Sequence, residues 1–188
     1  MTVLDIRSRE IRVGIAPDLG GGVPHFEWLG GGTPQPLFRP WDGVPAARST
    51  GSMPLIPWSN RISGGGIEAG GKFWPLPANR APDDPMPIHG DGFQSAWNVL
   101  EHGSSRIVLE LVSSKQPPFD YRALLTYEVD GPSFTMRLGV EHRGVAGSSK
   151  IIAGSRDDDG QGLLARAHAG LHRINHRVGI VLVVLVHD

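Results

Sequence analysis

The sequence predicts an all-β fold built from short antiparallel strands. Glycine (26 residues) and proline (16 residues) are both frequent, and they stand at turn-like positions along the 188 residues instead of forming one low-complexity block. Such spacing of turn residues is typical of proteins with many short strands. No convincing helical period occurs before residue 145, which argues against a nucleotide-binding α/β fold.

Strand patterns follow one another through the first 142 residues. Residues 10–15 alternate between apolar and polar, so that Ile11, Val13 and Ile15 fall on one face, and the glycines at 20–22 then break the chain before a second strand at 23–28. Glycine accepts the positive φ angles of tight turns, and Asp-Gly is a strong hairpin signal. The remaining predicted strands are a hairpin over 67–76 around Gly70-Gly71, a strongly apolar strand at 106–112, and strands at 121–129 and 133–141 flanking Asp130-Gly131.

The composition is that of an ordinary soluble globular protein. Hydrophobic residues make up 39% and charged residues 20% of the chain, and the net charge is −1, so no basic surface attracts nucleic acid or anionic lipid. The chain has no cysteine, its N-terminus lacks the order of a signal peptide, and its longest apolar run (178–186) is far short of the roughly 20 residues that span a bilayer. We therefore expect a cytoplasmic protein that binds neither nucleic acid nor membrane.

Two proline-braced segments carry the most informative polar residues. Residues 54–62 read PLIPWSNRI and contain Asn60 and Arg61, and residues 87–92 read PIHGDG and contain His89. An amide, a guanidinium and an imidazole address hydroxyl groups both as donors and as acceptors. The pattern therefore predicts a site for a neutral polyhydroxylated ligand. Four aromatic residues in the same region suit the C–H faces of a sugar ring: Trp58, Trp74, Phe93 and Trp97.

These motifs resemble the first half of the aldose 1-epimerase (galactose mutarotase) family, whose members interconvert the α and β anomers of free sugars. The shared order comprises the glycines at 20–22, the 54–62 segment, the hairpin that ends in FWPLPAN at 73–79, and residues 87–90 with Trp97 behind them. The resemblance implies a large antiparallel β-sandwich of the galactose mutarotase type. A hexose such as glucose or galactose would lie in a cleft on its concave face, without a cofactor or a metal ion.

The resemblance also implies roles for three residues of this sequence. Arg61 would hydrogen-bond sugar hydroxyls, and Asn60 would shape the substrate-binding loop beside it. His89 would be the first of the family's two active-site histidines, and it would mainly position the substrate.

The resemblance stops near residue 144. Family members continue with a second histidine, which protonates the ring oxygen and is followed by a proline and an aromatic residue. Later come an aspartate that contacts the sugar and a glutamate that takes the proton from the anomeric hydroxyl. No His-Pro pair occurs in this sequence. We therefore expect residues 1–144 to be the N-terminal part of an incomplete epimerase-like sandwich. Residues 145–188 would be a divergent α/β tail produced by truncation or by a shifted reading frame.

Two functions remain open at this point. The first is an aldose 1-epimerase-type isomerase that opens and recloses the sugar ring by acid–base catalysis, with little activity in this chain. The alternative is a non-catalytic carbohydrate-binding β-sandwich. A lyase or glycosidase on the same scaffold would need two closely placed carboxylates, and the sequence shows no convincing pair.

Other residues have more ordinary interpretations. Trp74 and Trp97 are expected in the core, and Asp91 and Asp83-Asp84 in turns. His25 and Glu27 share one strand face and only weakly suggest a catalytic pair. In the tail, apolar residues follow a helical spacing at Leu164, Ala167, Leu171, Ile174 and Val178. A helix there would also align the imidazoles of His168, His172 and His176. No glutamate motif accompanies these histidines, so no metal site is predicted.

Overall fold

The computed structural model of the chain describes residues 1–144 and the backbone of residues 172–174 and 177–185. Their strands form two main antiparallel sheets and one separate hairpin. The first sheet has the strand order β1-β2-β3-β4. Its strands are β1 (Leu4–Arg7), β2 (Ile11–Ala16), β3 (Gly22–Trp28) and the short β4 (Gln35–Pro36), and the separate hairpin consists of β5 (Gly66–Ala69) and β6 (Lys72–Pro75).

The second sheet is larger and has the strand order β11-β12-β10-β9-β8-β7. Its centre is a meander in which β8, β9 and β10 pair with their neighbours over most of their length. The strands are β7 (Asn98–His102), β8 (Arg106–Gln116), β9 (Phe119–Asp130), β10 (Ser133–His142), β11 (His172–Ile174) and β12 (Arg177–Leu185).

The hydrophobic core lies between the two sheets. Every second residue of β9 from Phe119 to Val129 is buried, as expected for a strand whose side chains alternate between a core face and an outer face. Phe26 of β3 packs against Phe134 of β10 with ring centroids 5.0 Å apart. The Tyr127 hydroxyl, whose pKa burial raises, donates a hydrogen bond to the Gly21 carbonyl. Aromatic packing and this hydrogen bond therefore hold the sheets together.

The all-β prediction is confirmed. The strands expected at 10–15, 23–28, 106–112, 121–129 and 133–141 and the hairpin at 67–76 are all present, and β8 extends further, to Gln116. Helical structure within residues 1–144 is limited to short 3₁₀ turns such as Pro17–Leu19 and Gly92–Gln94. None of the described helices is long and apolar enough to cross a membrane.

The tail differs from its prediction in one respect. The strand expected near its end is present as β12, which pairs with β10 from Leu185 opposite Ser133 to Arg177 opposite Glu141. The helical spacing expected before it does not hold at its last two positions, because Ile174 lies on β11 and Val178 on β12. The run of valine and isoleucine in residues 178–184 favours extended backbone.

The predicted alignment of three histidines fails for the same reason, since His172 is part of a strand. His168 and His176, with residues 164–171, lie outside the described residues. The division of the chain at residue 144 stays a prediction.

Candidate functional site

The two proline-braced segments lie side by side, joined through their backbones. Arg61 and Ile88 form an antiparallel bridge. On either side of it, the Ile62 amide donates to the Pro87 carbonyl (3.0 Å) and the His89 amide donates to the Asn60 carbonyl (3.2 Å). The structure therefore brings together Asn60, Arg61 and His89, the residues that the sequence selected.

Arg61 is held by a buried carboxylate. Its Nε and Nη2 atoms lie 2.8 and 2.7 Å from Oδ2 of Asp84, and half of the arginine side chain (52%) remains exposed. The hydrogen bond from Arg61, together with one from the Met86 amide, keeps the pKa of Asp84 below its ordinary value. The guanidinium is thus fixed on one side and open to solvent on the other. Such an arrangement leaves it able to donate to a ligand.

His89 has an unusual backbone and a defined protonation state. Among the described residues other than glycine, it alone has a positive φ angle (62°). Non-glycine residues seldom adopt this region, and exceptions cluster at functional sites. Its Nδ1 atom contacts the Ser59 carbonyl, which acts as an acceptor, so Nδ1 carries the proton.

The surroundings of His89 favour the neutral form of its ring. Burial lowers its pKa below the ordinary value, and the positive charges of Arg61 and Arg80 act in the same direction. A neutral imidazole with a protonated Nδ1 presents Nε2 as a hydrogen-bond acceptor. The site therefore combines a cationic donor, Arg61, with a neutral acceptor, His89.

Asn79 supports the His89 loop and was not recognised as a site residue from the sequence. Its amide nitrogen donates to the carbonyls of Ile88 and Gly90, both at 2.7 Å, and its Oδ1 atom accepts from the Ile88 amide at 2.9 Å. These bonds fix the backbone on both sides of His89. The only signal in the sequence was the position of Asn79 at the end of the 73–79 motif.

Asp91 connects the same loop to the large sheet. This buried carboxylate accepts hydrogen bonds from the Tyr121 hydroxyl (2.8 Å) and from the Ser113 hydroxyl (2.5 Å), on β9 and β8.

Between His89 and Asp91, Gly90 has φ 67° and lies so close to Ile56 that an added Cβ would be 1.9 Å from the Ile56 carbonyl oxygen. Glycine is required at this position.

The expectation that Asp84 and Asp91 are turn residues is therefore incomplete. Both carboxylates are buried, and both bind side chains that are distant in the sequence. Asp83 does lie in a turn, and its side chain is 67% exposed.

The aromatic residues mostly belong to the core. Trp97 is buried as expected, and its indole donates to the Gly92 carbonyl. Trp58 is also buried and packs on Phe119 with centroids 5.0 Å apart, so its expected role against a sugar face is wrong. Trp74 is partly buried against the core and donates to the Ala69 carbonyl. Phe93 is the aromatic residue that meets the site, edge to face with His89 at 5.9 Å.

Other candidate pairs do not form. His25 lies 2.7 Å from Asp5, and Glu27 pairs with Arg12, so His25 and Glu27 have separate partners. Within the described part of the chain, no group of three or more potential metal ligands is placed to hold an ion.

The fold and these loops define a class of protein, an antiparallel β-sandwich that presents polar side chains on two adjacent loops. A sequence profile of the aldose 1-epimerase family matches residues 5–147, and the chain belongs to this family. The resemblance seen in the two proline-braced segments is thereby confirmed.

Known relatives support the fold. The chain is 25% identical to the uncharacterised protein YphB of Escherichia coli K12 over 144 residues, which are 77% of this chain and 47% of YphB. A putative aldose 1-epimerase from Escherichia coli K12 superposes with a TM-score of 0.69 and 24% identity over 76% of this chain and 47% of that one. A galactose mutarotase-like protein from Lactobacillus casei superposes with a TM-score of 0.60 and 15% identity over 76% and 45% of the two chains. The chain thus spans about half the length of these relatives.

Proposed function

We propose that residues 1–144 supply the substrate-binding part of an aldose 1-epimerase-type isomerase and bind a free aldose such as glucose or galactose. The observation that carries the proposal is the placement of Arg61 beside His89 by backbone hydrogen bonds between their loops. Membership of the aldose 1-epimerase family supports a sugar as the ligand class.

Each of these side chains has a distinct role in this proposal. Arg61 donates hydrogen bonds to sugar hydroxyl oxygens, and its ion pair with Asp84 holds the guanidinium in place before the ligand arrives. A side chain that is already ordered loses less conformational freedom on binding. The Nε2 atom of His89 accepts a hydrogen bond from a hydroxyl, and Asn60 shapes the loop between them. A donor and an acceptor at fixed positions select the orientation of hydroxyl groups on the ring.

The reaction of the family requires two proton transfers. One proton leaves the C1 hydroxyl and another reaches the ring oxygen, which opens the ring before it recloses on the other face. A positioned base and acid typically contribute about 10²–10⁴-fold. In our proposal Arg61 and His89 orient the sugar, whereas the proton donor of the family is a histidine that precedes a proline. Because this sequence holds no His-Pro pair, we expect the 188-residue chain to accelerate mutarotation little. The same feature favours the alternative, a non-catalytic carbohydrate-binding protein.

Binding is tested by titrating glucose and galactose into the parent protein and two variants, Arg61→Ala and His89→Asn, by calorimetry. Asparagine is chosen because it tolerates positive φ better than alanine does. Each variant should weaken binding by about 1–3 kcal/mol, because a polar or charged hydrogen bond is lost. Arg106→Ala is the matched control, since Arg106 is similarly exposed (45%) but pairs with Glu101, away from the site. Unchanged affinities in both site variants would show that the site is assigned wrongly.

Polarimetry on freshly dissolved α-glucose and α-galactose separates the isomerase from the binding protein. Saturable anomeric relaxation above the buffer rate would establish an isomerase. Binding without acceleration would establish a carbohydrate-binding function for this chain, and this is the result that we expect.

A further inference from the structure

Two contacts restrain the imidazole of His89 from different directions. Its Nδ1 atom contacts the Ser59 carbonyl. Its ring also meets the Phe93 ring edge to face, with the centroids 5.9 Å apart and the two planes at 84°. The torsion that sets the plane of a histidine ring has a broad energy well, so one hydrogen bond restricts that plane only loosely. The perpendicular Phe93 ring supplies the second restraint.

Phe93 is itself held in place by its neighbours. It is 4% exposed and lies in the middle of the 3₁₀ turn Gly92–Gln94. The Gly92 amide donates to the Ile56 carbonyl (3.1 Å), and the Gly92 carbonyl accepts from the buried indole of Trp97 (3.0 Å). These hydrogen bonds tie the turn to the first proline-braced segment and to the core.

The glycine turn at residues 20–22 supports Phe93 from another side. The Gly20 amide donates to the Ser95 carbonyl (3.1 Å). Gly20 has φ 64°, and an added Cβ would lie 2.2 Å from the Phe93 carbonyl oxygen and 2.6 Å from the Phe93 Cα atom. No side chain fits between Gly20 and the Phe93 backbone, so the two backbones are packed directly against each other.

We propose that Phe93 is a positioning residue for His89, and that the Gly20 turn holds Phe93 in place for this role. The lone pair of Nε2 lies in the plane of the imidazole, so a tilt of the ring turns this acceptor away from its donor. By fixing the plane, the buried Phe93 ring directs Nε2 toward one orientation of a sugar hydroxyl. This inference rests on the proposed function, which makes Nε2 the acceptor. It gives a role to the glycines at 20–22, which that function leaves without one.

Nitrogen NMR of the imidazole tests the restraint without any ligand, at a pH well above the ordinary histidine pKa of about 6.5. In the parent protein the neutral His89 ring should be protonated at Nδ1 only, because of its contact with Ser59. In Phe93→Leu, which keeps an apolar side chain but no flat ring, the signals should move toward the average of the two tautomers. The ring then also adopts orientations that lose the Ser59 contact. Phe93→Tyr keeps the ring and should retain the parent spectrum.

Phe134→Leu is the matched control for a general loss of packing. Phe134 is a fully buried phenylalanine that packs on Phe26 between the two sheets, away from the loops. Its replacement should lower the melting temperature and leave the His89 spectrum unchanged. If Phe93→Leu does not fold, Phe93→Met takes its place, because methionine is flexible and fills irregular space in a core.

Gly20→Ala tests the second part of the proposal. It leaves Phe93 in the sequence but displaces its backbone, and it should produce the same spectral change as Phe93→Leu.

Titration of glucose and galactose measures the consequence for binding. Phe93→Leu should weaken both sugars by about 2- to 10-fold, since an aromatic pair of this kind contributes modestly beyond its buried area. Phe134→Leu and Phe93→Tyr should bind as the parent does.

The possible failures of the two proposals are distinct. An unchanged His89 spectrum in Phe93→Leu would overturn the positioning role, and an unchanged spectrum in Gly20→Ala would overturn the role of the glycine turn. A changed spectrum with unchanged sugar affinity would overturn the consequence for binding and leave the proposed function intact. Failure of the parent protein to bind any sugar would overturn the proposed function, whereas the NMR comparison would still decide whether Phe93 fixes the ring.

Discussion

Replacing Asn79 by alanine is expected to release the loop that carries His89 without disturbing the core. The substitution removes three hydrogen bonds, two to carbonyls and one from the Ile88 amide. A typical net contribution of about 0.5–1.5 kcal/mol each gives roughly 1.5–4.5 kcal/mol. Asn79 is partly exposed, so water replaces some of these bonds, and we expect a loss of about 1.5–3 kcal/mol.

Hydrogen exchange and urea denaturation together measure this effect. In Asn79→Ala the Ile88 amide should lose protection, while amides in the centre of β9 keep theirs, because the loop opens before the sheet does. Asn79→Asp is nearly isosteric and keeps the acceptor for the Ile88 amide, but it places a carboxylate against the Ile88 and Gly90 carbonyls. It should destabilise the loop at least as much as alanine does. Asn98→Ala, at an exposed position on β7, serves as the control. If Ile88 keeps its protection in both Asn79 variants, the loop is held by other contacts and the reasoning is wrong.

Three further expectations concern the residues around His89. Because the folded pKa of His89 lies below the ordinary value of about 6.5, the unfolded chain binds a proton first as the pH falls. The free energy of unfolding should therefore decrease as the pH falls from about 6.5 to the pKa of His89 in the folded protein. In urea titrations, His89→Asn should flatten this decline. Identical pH profiles of the parent and the variant would contradict the lowered pKa of His89. Gly90→Ala should cost about 1 kcal/mol or more, because the backbone is left-handed and Ile56 blocks the added Cβ; an unchanged melting temperature would contradict the geometry. Tyr121→Phe leaves the buried Asp91 carboxylate short of one donor and should cost about 1–3 kcal/mol in urea denaturation, whereas no loss would mean that Ser113 alone satisfies it.

Most of the strands that the sequence predicted have one buried face, and the hairpin of β5 and β6 was predicted from its glycine turn. In β8 and β9 the alternation is nearly complete, so the pattern of apolar residues reveals both the strand and its orientation. Among the strands that were missed, β7 is exposed at every residue and contains a bulge between Val99 and Glu101. An edge strand of this kind depends on pairing with its neighbour and leaves no hydrophobic period to detect.

The site was predictable where its residues are close in the sequence. Asn60 and Arg61 are adjacent, and the proline-braced segment with His89 follows a short way on. Their supporting residues are defined by tertiary contacts across longer distances. Arg61 and Asp84 are 23 residues apart, and Asp91 and Tyr121 are 30 residues apart. Local composition predicted Asp84 and Asp91 to be turn residues, because it contains no information about a side-chain partner on another element.

The bridge between Arg61 and Ile88 also bears on which substitutions the two loops tolerate. Its hydrogen bonds join main-chain atoms, so the bridge itself does not depend on the side chains of Asn60 and Arg61. Under the proposed function, substitutions at positions 60 and 61 alter sugar selectivity while this bridge persists. Under the same proposal, directed evolution of selectivity can begin at these two positions, because the backbone hydrogen bonds between the loops are kept.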